Sequence, residues 1–201
     1  LFRARDDGVD VLVLVAAIAT GAAMDATIKH LAHTNNVLLV IVVRYAIAVL
    51  FSLAIWTRAG APRISPEMWR AHTVRGVVIA LASSTFFWAI TVLPLVEAVT
   101  LTFIYPLIVP FIGAAMLGER VRLPSVLAAA IGFAGVAVSM AGAPSAQQSP
   151  LHPYGVAAVL FSAVAFSISI LLMRARAQKD GPEIVGIMAS LIPGLILAGP
   201  A

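Results

Sequence analysis

Long apolar runs alternate along the chain with short breaks that carry charge, proline or glycine. The runs fall near 11-32, 36-57, 74-92, 97-117, 124-141, 154-173 and 183-200. Each approaches the roughly 20 residues an α-helix needs to cross a hydrocarbon core. The pattern predicts an all-α, polytopic transmembrane helix bundle with seven helices present. The run around which the others are expected to be arranged is 93-119, LPLVEAVTLTFIYPLIVPFIGAAMLGE, uncharged between Glu97 and Glu119 yet holding Pro106 and Pro110. Proline removes a donor and frees the carbonyl four residues back, a defect that hydrocarbon tolerates only where neighbouring helices, side chains or water satisfy it. Pro106 and Pro110 therefore predict a hinge that faces other helices or a cavity.

Composition removes the soluble alternatives. The 201 residues are 61% hydrophobic and 11% charged, far from the balance of a soluble globular domain. A formal charge of +4 would suggest nucleic acid in a soluble protein, but the cations fall in short breaks between apolar runs, where they set topology. No nucleic-acid partner is expected; the partners are the lipid bilayer and a small molecule. Cysteine is absent, which excludes disulfides and thiolate metal sites. The first apolar run is too long for a signal-peptide core.

The cations alternate between sides. Arg3 and Arg5, then Arg58, Arg63, Arg70 and Arg75, then Arg120 and Arg122, then Arg174, Arg176 and Lys179 share one side. The breaks around His33, Pro94 and 142-153 hold none of them. The rule that cytoplasmic loops are basic makes the amino terminus cytoplasmic. Lys29 and Arg44 are the basic residues left outside this scheme.

The uncharged segment 142-153 is the one real break, and it divides the chain into a five-helix unit over 1-141, an extracytoplasmic linker over 142-153, and a second unit beginning at 154-201. An odd number of helices before the linker starts the next unit on the opposite side of the membrane, so the two units form an inverted repeat with a site between them. The sequence begins at Leu1 and stops at Ala201 as its seventh helix ends, which reads as a fragment. In the fifth helix, Ala128, Gly132, Gly135 and Ser139 place small residues at spacings of three and four. They permit close backbone approach, within one subunit or across a homodimer.

Charges inside a span cost a few kcal/mol on insertion scales, so each needs a partner, water or a function. Asp25 and Lys29 lie four apart on one face of the first helix, Arg44 lies about two turns into the second, and Glu97 opens the fourth. All belong to the outer half of the bilayer, and their charges cancel. Two readings stand: an ion-pair set of Asp25 with Lys29 or Arg44 that holds helices in register, or a set that recognises a ligand or ion. Arg44 carries a planar fork suited to a carboxylate. Glu97 is either a helix amino-terminal charge or, like Asp25, a proton carrier. Thr102 and Tyr105 could offer hydroxyls beside Pro106 near the midplane. Trp88 is an interfacial anchor or lines an outer vestibule, and Trp56 is an anchor. His30, His33 and His152 lack metal-ligand spacing and read as solvated loop histidines. No cofactor and no metal is expected.

The run from Arg75 to Ser139 resembles the EamA module of the drug/metabolite transporter superfamily. It holds FFWAITVLPLVEA, an apolar helix with the proline of YP, Gly118, Glu119 and Arg120 as a GER motif, and the closing GFAGVAVSM. The helix of Asp25 and Lys29, followed by Arg44 in VVRYAIA, is similar to that family's first two helices. Asp25 and Glu97 together look closest to a bacterial subgroup that includes S-adenosylmethionine uptake transporters. The resemblance implies ten helices in two inverted five-helix repeats, of which this chain holds seven, in a bacterial inner membrane with both termini cytoplasmic. It implies secondary transport of a small polar or zwitterionic metabolite, such as an amino acid or S-adenosylmethionine, by alternating access, with a coupled proton or counter-solute. Glu119 matches the family's acidic residue, at a position suited to topology and helix-end stabilisation.

No GxxxxGK[ST] loop is present for ATP-driven pumping. The chain reads as a transporter and not an enzyme. A membrane-embedded enzyme would need converging ligands or a Ser beside a base, and Ser83 and Ser84 have none nearby in sequence. A non-transporting membrane partner is the remaining alternative.

Overall fold

The computed structural model describes residues 7–118, 120, 121, 123–141 and 150–199. Among them are eight helices and no strand: α1 (Asp7–Ala32), α2 (Val37–Arg58), α3 (Pro66–Val92), α4 (Leu95–Thr102), α5 (Ile104–Leu117), α6 (Leu123–Ala141), α7 (His152–Asp180) and α8 (Pro182–Ala198). Helices α4 and α5 together form the fourth span, so the seven runs read from the sequence are all helical. Among the described residues five spans are long and apolar enough to cross a membrane: α1, α2, α3, α4 with α5, and α7. The described parts of α6 and α8 are shorter apolar helices.

Local chemistry sets the ends. Asn36 caps α2, its side chain accepting from the Leu38 amide at 2.9 Å. Ser65 caps α3 through the Met68 amide, and Pro66 occupies the first turn, where a missing N–H costs nothing. Gly118 closes α5 at φ 68° and Gly181 turns the chain from α7 into α8 at φ 74°, both in the left-handed region that glycine enters freely.

Two boundaries correct the sequence reading. The third helix starts at Pro66, eight residues before 74, and the sixth runs on to Asp180. Arg70, Arg174 and Arg176 therefore lie on helices and not in loops, as does Arg75, which the run 74-92 already holds although the cation pattern groups it with the loops. Arg75 is buried, only 8% exposed, so it joins Lys29 and Arg44 as a cation within the bundle.

Helix α3 is the centre. It packs antiparallel to α7 along its whole length, and α8 runs parallel to it and antiparallel to α2. Close approach is bought by glycine: at Gly155 of α7 an added Cβ would stand 2.8 Å from side-chain atoms of Val92 and Leu93. The core gathers Ile41 and Tyr45 of α2, Ile79, Phe87 and Ile90 of α3, and Val159 of α7. A smaller cluster of Ile184, Ile187, Met188 and Ile192 receives Trp56, Ile64 and Met68. That cluster places the end of α2, the start of α3 and the start of α8 together, at what we call the basic end, which also holds Arg58 and Arg70. Helix α1 lies on the flank against α2 and α3, and α6 lies against α5 and α4. The linker reading at 142-153 falls largely outside the described residues.

Candidate functional site

Arg44 is the eighth residue of α2, half-buried, and turned toward α1 and α3. Its Nε donates to Met24 Sδ at 3.0 Å, and its guanidinium carbon stands 4.9 Å from the Tyr45 ring centroid and 5.4 Å from that of Phe87. Thioether sulfur is a weak acceptor, and ring faces attract a cation without satisfying its N–H groups. Nη1 is buried with no hydrogen-bond partner. Tyr45 is itself fixed by a hydrogen bond between its hydroxyl and Ser83 Oγ, 2.8 Å.

Asp25 follows Met24 on α1, half-buried and within electrostatic reach of Arg44. Among the described residues no ion pair joins Asp25 to Arg44 or to Lys29. The two opposite charges stand near each other without collapsing into a salt bridge. Lys29 is engaged elsewhere: its Nζ donates to the Leu93 carbonyl at 2.6 Å, at the negative end of the α3 dipole.

A cleft of about 710 Å³ opens between α1 and α2, with Thr20, Met24, Thr27, Asn35, Arg44 and Phe51 among its lining residues. Its size suits a small metabolite. Arg44 is the one charged residue in its lining. Thr20 and Thr27 donate to carbonyls of their own helix, Ala16 and Ala23, each at 2.8 Å, leaving their oxygens as acceptors.

The other sequence candidates are not gathered at Arg44. Glu97, in the first turn of α4, meets His152 Nε2 at 2.8 Å, which ties α4 to the first turn of α7. His152 is thus a partly buried partner and not the solvated loop residue expected. Thr102 closes α4 and donates within its own turn, to Val99 at 2.6 Å and Ala98 at 3.2 Å. The helix breaks at Phe103, and Pro106 then sits in the first turn of α5 while Pro110 lies inside it. Across the break the Tyr105 ring leans on Phe166 at 5.7 Å, and Ser167 Oγ donates to the Tyr105 carbonyl at 3.2 Å. Trp88 is on the exposed face of α3. Glu119 lies outside the described residues, as does the side chain of Ser139. Three His, Asp or Glu side chains grouped to hold a metal are not found among the described residues.

A second polar group went unread in the sequence. His72 Nε2 meets Asp180 Oδ2 at 3.1 Å, Arg176 Nε donates to the same oxygen at 3.1 Å, and Arg176 Nη1 donates to Glu67 at 2.7 Å. It joins the start of α3 to the end of α7 at the basic end. His72 and Asp180 are 108 residues apart, so no local spacing announces them. Tyr45 and Phe87, by contrast, stand inside the quoted stretches VVRYAIA and FFWAITVLPLVEA, and the four-residue repeat of Ser83 and Phe87 on α3 was a usable signal.

The model of the EamA-like transporter family matches residues 8–141. No curated protein and no solved structure matches the chain.

Proposed function

The chain belongs to the EamA-like transporter family, and from that premise we propose that it carries a small zwitterionic or carboxylate-bearing metabolite, an amino acid or S-adenosylmethionine among the candidates, through a site built on Arg44 and Asp25. One observation carries the reading: a buried guanidinium N–H without a partner, beside an uncollapsed carboxylate, at a cleft large enough for such a molecule. A substrate carboxylate supplies the two acceptors that the fork of Arg44 lacks. Asp25, outside the cleft lining but within electrostatic reach of Arg44, favours a substrate that also carries an ammonium or sulfonium group. A neutral or purely cationic solute leaves the arginine unsatisfied.

The wider arrangement follows the same premise. The match over 8–141 supports treating residues 1-141 as one module and the helices after the linker as the start of its inverted counterpart, so that transport proceeds by alternating access around a site between them. The alternation of cations supports a cytoplasmic amino terminus, which puts Arg44 in the outer half of the membrane. Exchange against a counter-solute or a proton is the coupling in this scheme, and the Phe103 break with Pro106 and Pro110 gives the fourth span its flexible point.

Uptake of labelled amino acids and S-adenosylmethionine by cells expressing the full-length gene tests the reading. Saturable uptake should fall at least roughly tenfold in Arg44→Ala at matched expression, the loss of a charge-assisted bidentate contact. Undiminished uptake in that variant would return Arg44 to a packing role.

A further inference from the structure

Arg75 is the second buried arginine of the bundle, and the site above does not use it. It lies on α3 and is 8% exposed. Its Nη2 reaches only Met173 Sδ of α7, at 3.6 Å, and its Nε is buried with no partner. Asp180 is engaged by His72 and Arg176 and Glu67 by Arg176, and among the described residues Glu183, in the first turn of α8, makes no ion pair with Arg75. A guanidinium held in place for structure normally ends on a carboxylate or carbonyls, because an unpaired buried cation costs several kcal/mol. A single long contact to a thioether leaves that cost standing.

Position gives the orphan a purpose. Arg75, Ile79, Ser83 and Phe87 recur every fourth residue, so each neighbours the next along a stripe that winds about 120° around α3, and all four are buried. Arg44 rests over Phe87 at one end of this stripe, and Tyr45 hydrogen-bonds Ser83 in its middle. Arg75, at the other end, is within electrostatic reach of Tyr45. The twelve-residue step from Arg75 to Phe87 spans about 18 Å of helix, a large part of the hydrocarbon thickness.

We propose that Arg75 is a second oxyanion-binding station, receiving a carboxylate or phosphate group deeper in the bundle than Arg44 does. The flexible thioether of Met173 holds the guanidinium loosely and gives way when an oxyanion offers two acceptors to its fork. This deepens the transport reading and rests on it: a substrate with an acidic group finds one arginine near each end of the same α3 stripe, with the Tyr45 and Ser83 hydroxyls between them.

The test is thermal unfolding of the purified full-length protein in chloride, acetate or inorganic phosphate at matched ionic strength. Acetate or phosphate should raise the midpoint of the native protein and of Arg44→Ala, and whichever does so identifies the oxyanion. Arg75→Met alone should unfold in chloride no lower than native, because a buried unpaired charge has been replaced by an apolar side chain. Added to Arg44→Ala, where the first site is gone, Arg75→Met should abolish the oxyanion response. Arg75→Lys should keep it with a half-saturating concentration on the order of tenfold higher, a point charge in place of a fork. The proposal is overturned by no oxyanion response in native protein, by an undiminished response when Arg75→Met is added to Arg44→Ala, or by an Arg75→Met midpoint well below native in chloride. Failure of the Arg44 site shows separately, as uptake unchanged in Arg44→Ala while the oxyanion response still depends on Arg75.

Discussion

The seam between α3 and α7 and the flank formed by α1 and α2 are built on opposite terms. Along the seam, several polar side chains have partners in the protein. Ser162 donates to the Ala82 carbonyl at 2.8 Å, Ser167 to Ala163 at 2.8 Å, and histidine–carboxylate contacts close both ends, Glu97 with His152 and His72 with Asp180. On the flank, Arg44 touches a sulfur and two ring faces beside an open cleft, and Asp25 stands unpaired. A seam tied together by such internal bonds is a scaffold. A flank with an unsatisfied N–H in reach of a cleft is where a ligand lowers the free energy most. Arg75 is the exception inside the seam, with its Nε unpaired.

The contrast can be broken at the seam first. Asp180→Ala removes the common acceptor of His72 and Arg176 from a buried position, and should lower stability by about 3 kcal/mol, read as a fall in the unfolding midpoint of the detergent-solubilised protein. A smaller loss is expected where α3 touches α8. At Gly76 an added Cβ would lie 2.8 Å from Ile192 Cβ, so Gly76→Ala should cost about 1–3 kcal/mol by overpacking. Gly135 of α6 has open space where the same atom would go. Gly135→Ala should therefore be neutral or stabilise by up to about 1 kcal/mol through helix propensity, and a loss at that position would show that the α6 face is covered by a partner. The weakest effect belongs to Glu67→Gln. Its carboxylate is exposed and Arg176 keeps its bond to Asp180, so no measurable change in midpoint is expected.

The helices were legible because apolar run length is a local property, and the break in the fourth span was announced by its prolines. The start of α3 was not read correctly because PEMWRAHTVR is polar enough to resemble a loop, although Ser65 and Pro66 are a cap and a first-turn proline in plain sight. Grouping Arg75 with the loop cations, although the run 74-92 already held it, hid the most unusual cation of α3. Arg44 and Asp25 could be singled out from charge placement alone. Their separation could not, since it depends on how α1 leans on α2. Lys29 shows the same limit from the other side: its spacing from Asp25 suggested a pair, and its ammonium instead reached a carbonyl on α3. Partners such as His152 for Glu97 and Asp180 for His72 arise only when distant helices are brought together.

The bond from Lys29 to Leu93 also bears on biogenesis. Its acceptor lies 64 residues later in the chain, so α1 is synthesised long before the carbonyl that receives its charge. In the interval the ammonium must reach up to the water at the membrane surface, as long basic side chains do. The first helix is thus seated provisionally while α2 and α3 follow it, and its final depth is set only when the end of α3 arrives to take the cation.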